Sequence, residues 1–359
     1  MNRRRGPGLP DRIHHEGLAH RAEMFQGLRD GRRRDGRVQG GDPTVVPPGD
    51  FRSYYGRPVL KPPVWDEKIA AYLFTGGLAA GTAVLAAGSD LTGRPALRKA
   101  GWLGSFAALL ASLYYLVADL GRPERFHHML RVAKPTSPMS IGTWILTAFG
   151  PGVGIAAIHE LVPERWRATW WARLLRTLTR PAGISSAIVA PGVASYSAVL
   201  LSHTSVPAWI EVRNELPFVF TGSAAAASGG FGMLCAPLEE AGPARGFAAV
   251  GAAAELVAGR TMVGRLDVIA EAYETGKPGR LRRASELLTV GGLVGTLTVA
   301  RRNRLGAAAT GLALMAGGAL QRLGVFEAGV ESTKNPRYVV VPQRQRLHVD
   351  ERVEQEART

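Results

Sequence analysis

The chain has 359 residues, a formal net charge of +15 and a mean hydropathy of +0.01. That average suits a soluble basic protein, but the charge is crowded into both ends and a few loops, while the middle is built from Gly, Ala, Leu and Val. No aromatic residues interleave with the basic ones as on a nucleic-acid platform, so nucleic acid is not an expected partner. Excess Lys and Arg fits cytoplasmic loops and anionic lipid head groups instead. The single cysteine, Cys235, excludes an internal disulfide and any four-cysteine iron–sulfur site in this chain.

Residues 1–50 are rich in Arg, Gly, Asp and Pro without apolar periodicity, the composition of a disordered arm. Arg3-Arg4-Arg5 is followed by no apolar stretch, so a signal peptide is not expected. Residues 51–68, FRSYYGRPVLKPPVWDEK, form an extended strap: Pro58, Pro62 and Pro63 stiffen it, and Tyr54, Tyr55 and Trp65 suit a membrane interface.

About 20 apolar residues span the hydrocarbon core as a helix. Runs at 69–89, 101–118, 141–158, 181–202 and 216–238 meet that test. Three weaker ones follow: 246–266, interrupted by Glu255 and Arg260, and the short pair 287–300 and 305–320, joined by RRNR. The expectation is an all-α integral membrane protein with eight transmembrane helices. Ser137 and Pro138 supply a cap and a first-turn proline for the third helix. Pro181 stands at the start of the fourth and Pro191 inside it, and residues 260–283 read as a basic loop. The openings FTGGLAA at Phe74 and FTGSAAA at Phe220 hint at duplication into two four-helix halves, 69–203 and 204–326, ahead of a polar tail, 327–359.

With alternating crossings, Asp119, Arg122, Arg125, His203, Trp209, Glu211, Arg213, Asp267 and Glu327 collect on the side of the termini. The opposite side takes His159, Glu160 and Glu239-Glu240. The organising stretch is DLGRPERFHHMLRVAKPTSPMS, residues 119–140, a basic, proline-punctuated joint between two apolar runs. Asp119 lies at the membrane boundary, where ionisable groups are rare and usually functional. It either exchanges protons there or pairs with Arg122 and caps the turn. Tyr196 and His203 lie one heptad apart on one helix face. Tyr196 either donates to a bound carbonyl or bonds a neighbouring helix, and His203 can relay a proton. Trp209 reads as an interfacial anchor or a stacking partner, and His127 and His128 as surface residues.

The pattern DLGRPERFHHMLRVAKPTSPMSIGTW, with YSAVLLSHTSVPAWIEVRNELPFVFTGSAAAASG and the leading YYGRPVLKPPVW, resembles the NrfD/polysulfide-reductase membrane-subunit family over roughly residues 51–342. The resemblance implies a haem-free quinone-binding subunit of eight helices in two four-helix bundles, in the bacterial cytoplasmic (inner) membrane. It would exchange electrons between menaquinone or ubiquinone and a four-cluster ferredoxin-like iron–sulfur subunit serving a molybdopterin oxidoreductase or a multihaem cytochrome. Asp119 (proton exchange) and His203 would then be the catalytic candidates, with Arg122, Tyr196, Tyr72 and Trp209 beside the quinone. A quinone site needs an apolar slot, donors to the carbonyl oxygens and a proton-exchanging group. The first helix here reads IAAYLFTGGLAAGT and offers only Tyr72 and Thr75 as polar candidates. Two other readings remain: a secondary transporter, which predicts substrate flux without a redox partner, and a non-catalytic membrane anchor, in which Asp119 and Tyr196 substitutions are silent.

Overall fold

The computed structural model describes residues 60–345. The N-terminal arm, Tyr54, Tyr55 and Pro58 of the strap, and the end of the tail lie outside the described residues. Within them every regular element is helical. Eight long helices follow in order: α1 Glu67–Leu91, α2 Pro95–Ala118, α3 Pro138–Leu161, α4 Trp170–Ser202, α5 Leu216–Cys235, α6 Gly242–Gly264, α7 Gly276–Leu297 and α8 Arg304–Lys334. Shorter helical turns at Pro123–Leu130, Pro207–Ile210 and Ala270–Glu274 decorate the links.

Helix starts follow local chemistry. The Asp66 carboxylate accepts from Lys68 N (2.7 Å) at the head of α1, and Asn303 Oδ1 accepts from Gly306 N (2.6 Å) at the head of α8. Ser137 occupies the cap position of α3 and Pro138 its first turn, but the Ser137 side chain makes no capping bond. Pro181 does not begin α4; the helix starts at Thr169–Trp170 and carries both Pro181 and Pro191 inside it. At ~1.5 Å per residue its 33 residues reach about 50 Å, beyond a hydrocarbon core of about 30 Å. The expected basic loop at 260–283 is shorter than its charge implied, because α6 runs to Gly264 and α7 begins at Gly276.

Six helices, α1 to α6, are long and apolar enough to cross a membrane. The other two miss by composition. α7 carries Lys277, Arg280, Arg282, Arg283 and Glu286 in its first half, and Gln321 and Arg322 interrupt the apolar stretch of α8. Large apolar side chains such as Leu110, Ile188, Phe218, Val250, Leu287 and Leu312 face outward from α2, α4, α5, α6, α7 and α8, as a lipid surroundings requires.

Consecutive helices pack as the pairs α1–α2, α3–α4, α5–α6 and α7–α8; α1 also packs on α4 and α5, and α5 on α8. Small residues make this closeness possible, since packing rather than hydrophobicity drives helix association in lipid. A Cβ on Gly81 of α1 would run into the Ser228 hydroxyl of α5. That hydroxyl instead reaches Leu78 O (3.2 Å), so the two helices with matching FTG openings are bonded to each other.

Candidate functional site

The stretch 119–140 forms the end of α2, the turn Pro123–Leu130 and the entry to α3. Asp119 is the C-cap residue of α2, and its backbone N–H donates to Tyr115 O (3.2 Å). It is partly buried, and among the described residues no salt bridge joins it to Arg122, which is exposed. Its neighbours are Asp66 and Lys68, at the head of α1. Desolvation holds its carboxyl above the usual carboxylate range and the Asp66 charge adds to this, while a hydrogen bond from the Asp66 backbone and the Lys68 charge pull the other way. These influences on Asp119 come from α1 rather than from Arg122.

Two apolar cavities flank α3, and residues of the same stretch line both. One, of about 220 Å³, lies between α2 and α3 beneath Phe126, Met129 and Leu130, with Leu113, Val117 and Leu146 among its walls. Its only polar side chains are Thr143 and Thr147, whose hydroxyls donate to Met139 O (3.0 Å) and Thr143 O (2.8 Å) and so keep only lone pairs to offer. The other, of about 460 Å³, lies between α3 and α4 under Ala133, Lys134 and Pro135, with Ser140 and Trp144 at its edge. Ser140 holds this roof in place: its hydroxyl donates to Val132 O (2.9 Å) and accepts from Lys134 N (2.9 Å), while Trp144 Nε1 reaches Val132 O (3.4 Å). Walls of this composition fit a flat apolar ring with an apolar tail, and Lys134 is a cationic donor beside the larger cavity.

The other candidates lie elsewhere. Tyr72 and Tyr196 are buried in the continuous apolar core, and the Tyr196 ring lies so close over Gly142 of α3 that any side chain there would strike it. His203 is the exposed C-cap of α4, and His127 and His128 are exposed on the turn. Trp209, expected at the interface, is completely enclosed. It sits between Trp65 and Phe326, with ring centroids 5.9 Å away in each case, lies over Gly329, and donates from Nε1 to Val325 O (2.8 Å). The ring thus ties the strap and the turn Pro207–Ile210 to α8. None of Tyr72, Tyr196, His203 or Trp209 lines either cavity.

The two expected sides can be followed in the ion pairs. Lys277 bridges Glu67 (3.2 Å) and Glu327 (2.7 Å), joining the head of α1 to α7 and α8 on the side of Asp119. At the opposite end Arg98 contacts Asp90 (3.2 Å) and Glu160 (2.8 Å), and Glu240 accepts from Leu97 N (2.9 Å).

Sequence reasoning passes over one pair of residues in the interior. Arg322 of α8 is 1% exposed and donates from Nη1 to Leu73 O and from Nη2 to Phe220 O (both 2.7 Å), with its guanidinium 4.3 Å from the Phe220 ring centroid. It therefore clasps α1 and α5 just where the FTG openings begin. Glu255 of α6 is 4% exposed. The signal that could find them is a lone charge inside an apolar run, which in the sequence only interrupts the hydropathy.

Helices of this length and apolarity around membrane-boundary cavities define a multi-pass, all-helical membrane protein. The family described as polysulphide reductase, NrfD, matches residues 59–241, and the protein belongs to it. Over 152 residues it is 31% identical to the C subunit of polysulfide reductase from Wolinella succinogenes, an overlap of 39% of this protein and 48% of that one. The match thus spans about half the length of that curated relative.

Proposed function

We propose that this chain is the quinone-reactive membrane subunit of a respiratory oxidoreductase in a bacterial cytoplasmic membrane. In this reading eight helices form two four-helix bundles, 69–203 and 204–326. The ring of neighbours α1–α2–α3–α4 and a second among α5 to α8 support the arrangement, as do the outward-facing Leu287 and Val294 of α7 and Leu312 of α8. Electrons pass between the quinone pool and a ferredoxin-like iron–sulfur subunit, which serves a molybdopterin oxidoreductase or a multihaem cytochrome.

The observation that carries the reading is the stretch 119–140 itself, which covers two apolar cavities and begins on a partly buried carboxylate. A bound quinone supplies two-electron chemistry coupled to two protons. The chain contributes the rest. Leu113, Val117, Leu146 and the turn above them exclude water from the smaller cavity, and Lys134 presents positive charge beside the larger one. Asp119 holds a proton at its carboxyl near neutral pH more readily than an ordinary aspartate and can exchange it at the membrane surface.

Asp119→Asn keeps the size of the side chain and removes the exchangeable proton. In the assembled complex it is expected to lower quinol-driven reduction of the partner's clusters by about 10²–10⁴-fold, the usual contribution of a positioned acid or base, without loss of assembly. Turnover retained within a factor of about three, with each such factor worth well under 1 kcal/mol, removes Asp119 from the mechanism.

A further inference from the structure

Glu255 lies beyond the residues that the family match covers. It stands nine positions before the end of α6 at Gly264, about 13 Å inside the helix at ~1.5 Å per residue. Among the described residues no cation lies within salt-bridge distance, and its Oε2 is enclosed without a hydrogen-bond partner. Arg322 acts on it only through space, both Nη groups being committed to the carbonyls of Leu73 and Phe220, and Ser223 of α5 is the one hydroxyl that interacts with the carboxyl.

Glu255 also lines a cleft between α6, α7 and α8. The cavity holds about 30 Å³, room for one water, which needs roughly 10–15 Å³ by the same measure. The Thr289 hydroxyl, on the same wall and 1% exposed, also lacks a partner. From there polar groups continue outward. Ser285 bonds Gly317 O (2.8 Å) and approaches Gln321 (3.4 Å), and Glu286 is held by Arg260 (2.9 Å) and Arg282 (3.4 Å) at the rim. The rim lies towards the ends of α6 and α8 and the start of α7, on the side of Asp119. The charged groups around Glu255 are therefore Arg322 from α8, Arg260 on its own helix, and Arg282 and Glu286 from α7; α5 contributes only Ser223.

We propose that this cleft is a water-filled route by which Glu255 binds and releases a proton from the aqueous phase on the side of the termini. The second half of the chain then carries a proton-binding site of its own, separate from the cavities at Asp119. A water in the cleft bridges Thr289 Oγ1 and Glu255 Oε2, two enclosed atoms of its wall that otherwise lack partners. Uptake transfers a proton from that water to the carboxylate, and the water regains its proton from the rim. Binding a proton is the least costly neutralisation open to a carboxylate without a contacting cation. Arg260 and Arg282 at the rim orient Glu286 as the outermost acceptor.

The test uses the full chain in lipid nanodiscs without quinone, so its outcome is independent of the quinone reading. Infrared spectra are recorded across the pH range in which the fold persists, on protein labelled with ¹³C at the glutamate carboxyls. A protonated-carboxyl carbonyl band that moves with the label, titrates with pH, shifts on transfer to D₂O and is missing from Glu255→Gln is the expected result. Thr289→Leu, which fills the water-sized space, should retain the band and slow its exchange at least tenfold, a change of about 1.4 kcal/mol in barrier. Should Glu255→Gln fail to accumulate, Glu255→Asp keeps a carboxyl at the position but takes it out of the ¹³C-glutamate label, and loss of the label-sensitive component there reads the same result. Absence of a label-sensitive band at every pH, or exchange in Thr289→Leu as fast as in wild type, overturns the proposal.

Discussion

The rim around Asp119 and the interior around Arg322 use ionisable groups in opposite ways. At the rim, Asp119 has one side towards water, neighbours of both signs in Asp66 and Lys68, and open apolar cavities close by. In the interior, Arg322 is shut in and spends its guanidinium on two backbone carbonyls of different helices. A group left partly solvated at a helix end can change its charge without breaking the fold. One that stitches α1 to α5 inside the helix bundle cannot. The difference separates the part of the chain suited to chemistry from the part that holds the helices in register.

Substitutions can break that contrast. Trp209→Ala is expected to have the largest effect on stability, about 3–5 kcal/mol, because it leaves a cavity between Trp65, Phe326 and Gly329 and removes the hydrogen bond to Val325 O. Thermal unfolding in detergent reads this, and a loss below about 1 kcal/mol would place the ring outside the core. Arg322→Met comes next. It keeps much of the side-chain volume but removes two charge-assisted hydrogen bonds, at a cost of about 2–4 kcal/mol in the same assay. Were its stability equal to wild type, the clasp between α1 and α5 would be ornamental. Gly81→Ala tests the contact without any charge: the added methyl meets Ser228 and the Ala224 carbonyl, and about 1–3 kcal/mol should be lost, of which Gly81→Ala/Ser228→Gly recovers only the Ser228 part.

The rim should respond weakly. Lys277→Ala breaks exposed bridges to Glu67 and Glu327 and should cost no more than about 1 kcal/mol. For Asp119 the sign is opposite to that of a paired carboxylate. Its folded-state affinity for a proton is raised by burial, so its contribution to stability is greatest below the usual aspartate range, about pH 4, and is lost as pH rises through the folded-state value. Asp119→Asn removes that loss. Melting temperatures of the variant should match or slightly exceed wild type at neutral pH and converge with it in acid. A variant less stable at neutral pH would mean that the carboxylate holds structure rather than a proton.

Much of the rim is legible in the sequence. A carboxylate at the end of an apolar run, followed by RPER and a proline before the next run, marks a helix end at a membrane surface, and α2 does end at Ala118 with Asp119 as its cap. Its partners are not legible. Arg122 is the near neighbour in sequence, whereas Asp66 and Lys68 arrive from more than 50 positions away because α1 and α2 pack side by side. Trp209 misleads for a related reason. Proline, tryptophan and charge in a row describe an interfacial turn, and only docking against α8 encloses the ring.

By itself the sequence determined the elements that depend on local properties. Apolar runs, first-turn prolines and the stretch 119–140 mark where helices cross and where they turn, because hydropathy and capping act within a few residues. The family assignment rests on the same local patterns. Tertiary structure alone decided what each lone charge meets. Glu255 and Arg322 weaken the apolar signal of their helices, and read singly they look like defects. Their helices pack around α5, so Arg322 clasps the two FTG openings and Glu255 faces a polar cleft. The physical reason is that lipid tolerates a buried charge only where another helix answers it, and which face answers depends on packing across the whole bundle.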